Sequence, residues 1–279
     1  RRKLLVNHVK LKTAAELTGI VQTVLFCPED LALIKSGAAE RRAFLDHAIC
    51  QLRPRYGEAL AQYHKLLDHK TRILRDWEKN PSLLEVLEDF NEAMARAGAL
   101  LIHYRAHFVG KLAPRAAQIQ RDFSGDREEL TLSYQTVGTV RDPLGPTVSI
   151  YKDLRAHQDS HRRAELEARS CLSGPHKDDL AAWIDGQPAR QFASQGQTRT
   201  AALSLKLAER ELFEDDTGQW PVLLLDDVLS ELDARRQDFV LDRITGGQVF
   251  ITSCEAPAGE ISRGKILHIH QGALVDSPN

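Results

Sequence analysis

Two adjacent aspartates, Asp226 and Asp227, directly follow the apolar run of residues 222–225. A short apolar run predicts a buried strand of a parallel sheet, and the ligands of such sheets collect where the strands end. Because Mg²⁺ takes oxygen ligands and is commonly held by one or two carboxylates plus substrate phosphates, we predict that Asp226 holds Mg²⁺ directly or through water. Asp227 would then orient or deprotonate an attacking water. A strand that ends in solvent has the same residue pattern, and this alternative stays open.

A second polar group, Ser194, Gln195, Gly196 and Gln197, precedes a predicted helix over residues 200–213. Backbone N–H groups at the start of a helix bind phosphate well, and glycine lets the backbone approach a ligand closely. We call these four residues the SQGQ segment. An ordinary helix N-cap has a similar composition, so the segment predicts a phosphate site only in combination with the two aspartates.

The elements that must position these residues alternate between short apolar runs and helical segments. Strands are predicted over residues 129–134, 179–183, 187–192, 222–225, 248–253 and 266–270, and helices over residues 149–169, 200–213 and 233–244. This alternation predicts an α/β fold with a mostly parallel sheet and a small antiparallel β part. At the front of the chain, Asn7 and His8 suit the turn of a hairpin, and residues 20–26 predict a strand.

Between the front strand and the α/β part, the apolar pattern becomes helical. Apolar residues recur at steps of four and three from Leu83 to Phe108, and a similar pattern runs from Tyr56 to Ile73. Asn80 suits an N-cap and Pro81 the first position of a helix. We therefore predict two antiparallel helices packed as a coiled-coil arm, although a plain helical bundle would show the same periodicity.

Composition narrows the classes of protein that remain. The chain has 279 residues, a net charge of −2 and four scattered cysteines without a C-x-x-C pair, which indicates neither a zinc site nor a disulfide framework. No apolar run reaches the about 18 residues needed to span a bilayer, so we predict a cytoplasmic protein without membrane contact. The first 121 residues carry a surplus of seven positive charges, which suits nucleic acid or an ordinary solvated surface.

Several motifs together resemble the RecF family, a group of bacterial DNA replication and repair proteins within the ABC/SMC-like ATPases. They are VLFCPEDLALIKSGAAERRAFLD, LSGPHKDDL, FASQGQTRTAALSLKLAE and PVLLLDDVLSELDARR, in this order along the chain. In this resemblance the SQGQ segment is the signature loop, the strand ending in Asp226 and Asp227 is the Walker B strand, and residues 230–233, ending in Asp233, are the D-loop. Thr252 occupies the position of a switch residue that is His in many relatives.

The resemblance implies an ATPase head with a short helical arm, and ATP and Mg²⁺ as cofactors. It also implies an ATP-dependent homodimer, binding of single-stranded and duplex DNA at gaps, recombination mediator proteins as partners, a role in recombinase loading and a place in the SOS response. The implied domains are a remnant of the N-terminal β lobe (1–35), a helical arm (36–125) and the ATPase head (126–279).

The chain departs from the family pattern at the phosphate-binding P-loop. The motif G-x-x-x-x-G-K-[ST] occurs nowhere in the 279 residues, residue 1 is Arg, and the single methionine is Met94. We therefore expect a fragment truncated at its N-terminus that does not hydrolyse ATP alone, although its SQGQ segment can complete a site on a partner. A non-catalytic relative that binds DNA or protein is the alternative, and a metal-dependent nuclease or hydrolase using the two aspartates is a further, weaker one.

The basic residues nearest the arm are candidates for DNA contact. We predict that Arg41, Arg42, Arg53 and Arg55 contact DNA phosphates, together with Lys65, Lys70, Arg72 and Arg75. Few aromatic residues lie among them in the sequence, so stacking of single-stranded bases is not indicated. For His176 in the GPHKDD motif, packing near the nucleotide and DNA contact both remain open.

Overall fold

The computed structural model describes residues 3–17, 19–229, 232–254 and 264–275. Its strands are β1 (Leu5–Val6), β2 (Val9–Lys10), β3 (Thr23–Phe26), β4 (Leu130–Gln135), β5 (Asp179–Ile184), β6 (Gln187–Pro188), β7 (Val222–Asp226), β8 (Val249–Thr252), β9 (His268–His270) and β10 (Ala273–Val275). Its α-helices are α1 (Ala32–Lys35), α2 (Ala38–Leu52), α3 (Pro54–Asp76), α4 (Leu87–Ser124), α5 (Thr147–Ala168), α6 (Ala189–Phe192), α7 (Gln195–Thr217) and α8 (Ala234–Arg243).

The predicted parallel sheet is confirmed, and it consists of three strands in the order β3–β7–β8. Leu25 pairs with Leu224, which pairs with Phe250, and Asp226 pairs with Thr252 at the carboxyl end. Alternate residues such as Leu223 and Leu225 are buried, as expected for a strand with one covered face. Because β3 belongs to this sheet, the segment predicted as a remnant of the N-terminal β lobe of the head contributes a strand to the same sheet as the two aspartates.

A second, antiparallel sheet has the order β4–β5–β6. Asp185 and Gly186 form its tight turn, both with positive φ. The predicted strand over residues 187–192 is wrong beyond Pro188, because Ala189–Phe192 turns into the short helix α6. The predicted strand over residues 266–270 forms a hairpin with β10 and joins neither sheet.

The helical region is built around α4, which has 38 residues. It packs along α3 and α5, and its later turns contact β4 and α7. The repeating apolar positions are its buried face, since Leu87, Met94 and Leu101 are each at most 1% exposed. The prediction that a helix starts at Pro81 is wrong: Pro81–Leu84 is a short 3-10 helix, and α4 begins at Leu87.

The strands β1 and β2 form a short hairpin near the N-terminus. Asn7 and His8 both have positive φ between β1 and β2, as the predicted hairpin turn requires. Among the described helices, none is long and apolar enough to cross a membrane.

Candidate functional site

The carboxyl ends of β7 and β8 bring three predicted site residues together. Thr252 Oγ1 donates to Asp226 Oδ1 at 2.5 Å, and Asp227 N donates to Thr252 Oγ1 at 3.0 Å. Asp227 N also approaches Thr252 O at 3.2 Å, while Asp227 has φ 51°. This left-handed conformation is uncommon for a residue other than glycine, and aspartate is among those that tolerate it. The Thr252 hydroxyl thus fixes both the Asp226 carboxylate and the turn that follows the strand.

The Asp226 carboxylate lies at the exposed end of its strand, and its chemistry fits a hard cation. Within the described residues no group of three or more His, Cys, Asp or Glu side chains could hold a metal ion. A Mg²⁺ ion here would therefore take Asp226 from the protein and most of its ligands from phosphates and water, which is the usual arrangement for this ion.

The SQGQ segment forms the first turn of α7 together with its cap. Ser194 N donates to Gln197 Oε1 at 2.9 Å and Gln197 N donates to Ser194 Oγ at 3.2 Å, which is a capping box. The helix therefore begins at Gln195, five residues before the predicted start. The side chains of Ser194 and Gln197 both bind backbone N–H groups. The alternative that this segment is an ordinary helix N-cap is therefore correct for these two residues.

Two groups of this segment remain directed to solvent. The Gln195 side chain is exposed, and a Cβ built on Gly196 would meet nothing within 4 Å. Lys35 Nζ donates to Ala193 O at 2.5 Å and fixes the chain just before the cap. The first turn of α7 is thus held rigidly while its open side can receive a ligand.

A narrow cavity lies between α7 and the turn after β7. Arg199, two residues beyond the SQGQ segment, and Asp227 both line it, and its volume is about 20 Å³, enough for one water molecule. The turn after β7 and the start of α7 therefore pack side by side.

Asp233 lies apart from this set, at the N-cap of α8. Its Oδ1 accepts from Arg236 N at 3.0 Å and its Oδ2 pairs with Arg236 Nη1 at 2.9 Å. Ser230 and Glu231, the first half of the predicted D-loop, lie outside the described residues.

The structure contradicts the prediction of DNA contact for Arg41. The residue is 6% exposed, and its guanidinium binds Asp179 through two hydrogen bonds of 2.7 and 2.9 Å. Arg42 donates to Asp178 O at 2.7 Å and is half-buried. Arg41 thus ties α2 to the first residue of β5, and Arg42 ties it to the residue before that strand. The sequence prediction missed these contacts because a local run of basic residues gives no information on partners more than 130 residues away.

Lys70 likewise is not available to DNA, since it is fully buried against Glu165 at 2.6 Å. Arg53 and Arg55 do lie at the surface. Arg53 pairs with Asp216 and keeps 40% of its side chain exposed, and Arg55 is exposed.

The contacts of His176 show that it has a packing role. Its Nδ1 lies 2.7 Å from the Tyr63 hydroxyl and its Nε2 lies 3.1 Å from Cys171 O. Burial lowers the pKa of His176 to about 4. The residue therefore joins α3 to the GPHKDD motif as a neutral, packed ring, which does not suit the open interpretation of DNA contact.

Sequence reasoning missed the buried polar centre beside this histidine. Arg105 is 2% exposed, donates to Asp46, Tyr56 and Pro175 O, and lies 3.6 Å from Asp178. The sequence does contain an indication of this burial. Arg105 follows Leu101 by four residues, so it lies on the apolar face of α4.

Comparison with known proteins gives consistent results. No protein-family model matches the chain. The DNA replication and repair protein RecF of Clostridioides difficile is 35% identical over 283 residues, which covers 100% of this chain and 75% of the relative. RecF of Desulforamulus reducens is 40% identical over 254 residues, covering 90% of this chain and 67% of the relative.

Solved structures agree with these relatives. The RecF–ATPrS structure of a recombination mediator protein in the RecFOR pathway superposes with a TM-score of 0.86 at 34% identity, covering 96% of this chain and 71% of the other. The corresponding RecF–ATP structure gives 0.84 at 36% identity, covering 92% and 68%.

Proposed function

The chain belongs to the RecF family of DNA replication and repair proteins, and we propose from this membership that it contributes part of an ATP site in a dimer. The observation that carries the proposal is the hydrogen-bonded set of Asp226, Asp227 and Thr252 at the end of the parallel sheet. Solved RecF structures with ATP and with ATPrS support nucleotide as the ligand.

In this proposal each residue of the set has one role. Asp226 holds Mg²⁺, whose positive charge would offset the charge of the phosphates when nucleotide is bound. Asp227 orients or deprotonates a water, and Thr252, which already fixes both aspartates, faces the terminal phosphate. Asp233 lies on the nucleotide side of the dimer.

The SQGQ segment acts on the nucleotide held by the opposite subunit. Its exposed Gln195 and open Gly196 at the positive end of a 23-residue helix support contact with phosphate. Ser194 and Gln197 act mainly by capping the helix and so presenting its N–H groups.

The proposal also covers the role in DNA repair: the chain binds DNA at gaps, works with recombination mediator proteins and helps to load recombinase. The RecFOR pathway, in which solved relatives are described, supports mediator partners. Of the four arginines predicted to contact DNA, Arg53 and Arg55 remain, since Arg41 binds Asp179 and Arg42 binds the carbonyl of Asp178.

Complementation tests the proposed half-site. The 279-residue chain alone should release no phosphate from ATP above background, because it contains no P-loop motif. Mixed with a P-loop-containing RecF relative whose own signature glycine is changed to Glu, the chain should restore turnover, since its SQGQ segment completes the relative's site. Turnover is measured as phosphate released per heterodimer, and heterodimer formation is checked by sedimentation.

Gly196→Glu in this chain is the matched control. A Cβ at this position would meet nothing within 4 Å, so we expect the fold to be retained while the added carboxylate repels the phosphate. The control should abolish restoration. Turnover by the chain alone, or no restoration in heterodimers that do form, would contradict the proposal and favour the non-catalytic relative.

A further inference from the structure

A groove of about 410 Å³ lies on the helical side of the molecule, where the end of α2, the middle of α4 and the end of α7 meet. We call it the α4 groove. Its walls carry three cations, Arg53, Lys111 and Arg115, and four rings. Phe108 is the buried one of the four, and the other three are His103, Tyr104 and His107. These residues come from distant parts of the chain, so the groove is invisible in the sequence.

The rings form one continuous wall. The His103 and His107 ring centroids are 4.3 Å apart, and those of His103 and Tyr104 are 6.2 Å apart. Tyr104 is held in place by an edge contact with Tyr56 at 5.8 Å. Neighbouring rings meet edge to face, His107 is exposed, and His103 and Tyr104 are partly exposed, so a ligand can reach the wall at each ring.

The three cationic side chains line the same groove as the rings. Arg53 binds Asp216 through two hydrogen bonds of 2.5 Å, and Arg115 pairs with Asp215. Lys111 is exposed and has no ion pair among the described residues, so the lysine, arginine and aspartate side chains in the groove sum to one positive charge. Because exposed ion pairs contribute little free energy, Arg115 can turn from Asp215 to another anion at small cost. Arg53 is held by its two hydrogen bonds to Asp216 and keeps 40% of its side chain exposed as a fixed positive group.

We propose that the α4 groove binds single-stranded DNA, with bases stacked on His103, Tyr104 and His107 and phosphates beside Lys111, Arg53 and Arg115. Aromatic rings interleaved with cations are the usual means of binding single strands without sequence preference. The proposal rests on the proposed DNA role and names the form of DNA and its contacts. It replaces the expectation, drawn from sequence order alone, that base stacking is not indicated.

An acidic protein segment is a weaker match for the groove. Such a partner would need a strong positive surplus, whereas the lysine, arginine and aspartate side chains here sum to one positive charge and the ring wall gives it nothing to bind. Stacking is the larger contribution expected in this groove, and it suits bases.

Fluorescence anisotropy with a labelled oligo-dT strand tests the proposal on the whole 279-residue chain. His107→Ala should weaken binding about fivefold or more through lost stacking, with little change in salt dependence. Lys111→Ala should reduce the slope of log K against log salt by about 0.7, as for one lost phosphate contact on a single strand. Both side chains are exposed, so neither change disturbs the core.

His64→Ala and Lys152→Ala, exposed residues outside the groove, are the matched controls and should bind as the unchanged chain does. Photocrosslinking of a 5-iodouracil strand should map to the peptide containing residues 103–107. If the chain binds the strand but all four variants bind equally, the groove proposal is overturned and the DNA role stands. If the chain binds no DNA, both fall. In that case, binding of labelled poly-glutamate that is weakened by Lys111→Ala would assign the groove to an acidic protein.

Discussion

At the scale of single residues, the centre of the molecule is held by buried ionisable groups. Arg105 links Asp46 of α2 and Tyr56 of α3 to the carbonyl of Pro175, and Tyr134 of β4 donates to Asp178 beside it. Removing one member of such a buried network costs about 3–5 kcal/mol, because the remaining charge is left without its partner. The GPHKDD motif is therefore where the helices are fastened to the antiparallel sheet.

His176 gives this centre a pH dependence of known sign. Burial lowers its pKa to about 4 in the folded chain, whereas an unfolded histidine titrates near its ordinary value of about 6.5. Between these values the unfolded chain binds more protons, so this contribution is full above pH 6.5 and is lost as the pH falls towards 4. We expect His176→Asn to remove about 1–3 kcal/mol of the loss in unfolding free energy between pH 7 and 4.5.

The measurement is urea unfolding of both proteins across that pH range. Burial raises the pKa of Asp178 to about 6 and of Glu209 to about 7, and these two groups favour the folded state as the pH falls. The difference between the variant and the unchanged chain isolates the histidine. His64→Asn, at an exposed position, serves as control, and parallel pH curves for all three proteins would contradict the prediction.

At the scale of elements, the sequence predicted the helices and strands whose apolar residues recur at a regular spacing. The helices α3 and α4 and the strands β7 and β8 follow from apolar spacing, and Asp226 and Thr252 meet because parallel neighbours end at the same edge. The start of α7 was missed because a capping box is made by two side chains and has no period. The partners of Arg41 and Lys70 were missed because contacts over 90 residues or more leave no local pattern.

The capping box makes a prediction about α7. Ser194→Ala removes the oxygen that accepts from Gln197 N, and it should lower the free energy of unfolding by about 1 kcal/mol. Ser194→Asp keeps an acceptor and should restore most of that loss. Thermal unfolding of the two variants beside Gln195→Ala, whose exposed side chain caps nothing, measures the effect; equal stability of Ser194→Ala and the unchanged chain would show that the cap contributes nothing.

At the scale of the whole molecule, one hydrophobic core runs from the helices to the parallel sheet. Tyr63 and Met94 belong to the same buried cluster as Leu203, Leu223 and Leu225. The helix α4 passes through both regions, since it contacts α3 and α5 as well as β4 and α7. Among the described residues, the largest of three buried clusters therefore extends from the predicted arm into the predicted head, and two smaller clusters lie beside it in the helical region.

A shared core predicts that the described parts unfold together. Trp77 lies just beyond the end of α3 and Trp220 lies beside β7, where it stacks on Arg210, so variants keeping one tryptophan each report on opposite regions. Their urea transitions should coincide, as two-state unfolding requires. Met94→Ala should shift both midpoints equally, by an amount that corresponds to about 2–5 kcal/mol, because it leaves a cavity in the common core. Leu144→Ala, at a position 52% exposed, should move neither. Two separated transitions, with Met94→Ala affecting Trp77 alone, would instead establish an arm that is stable independently of the head.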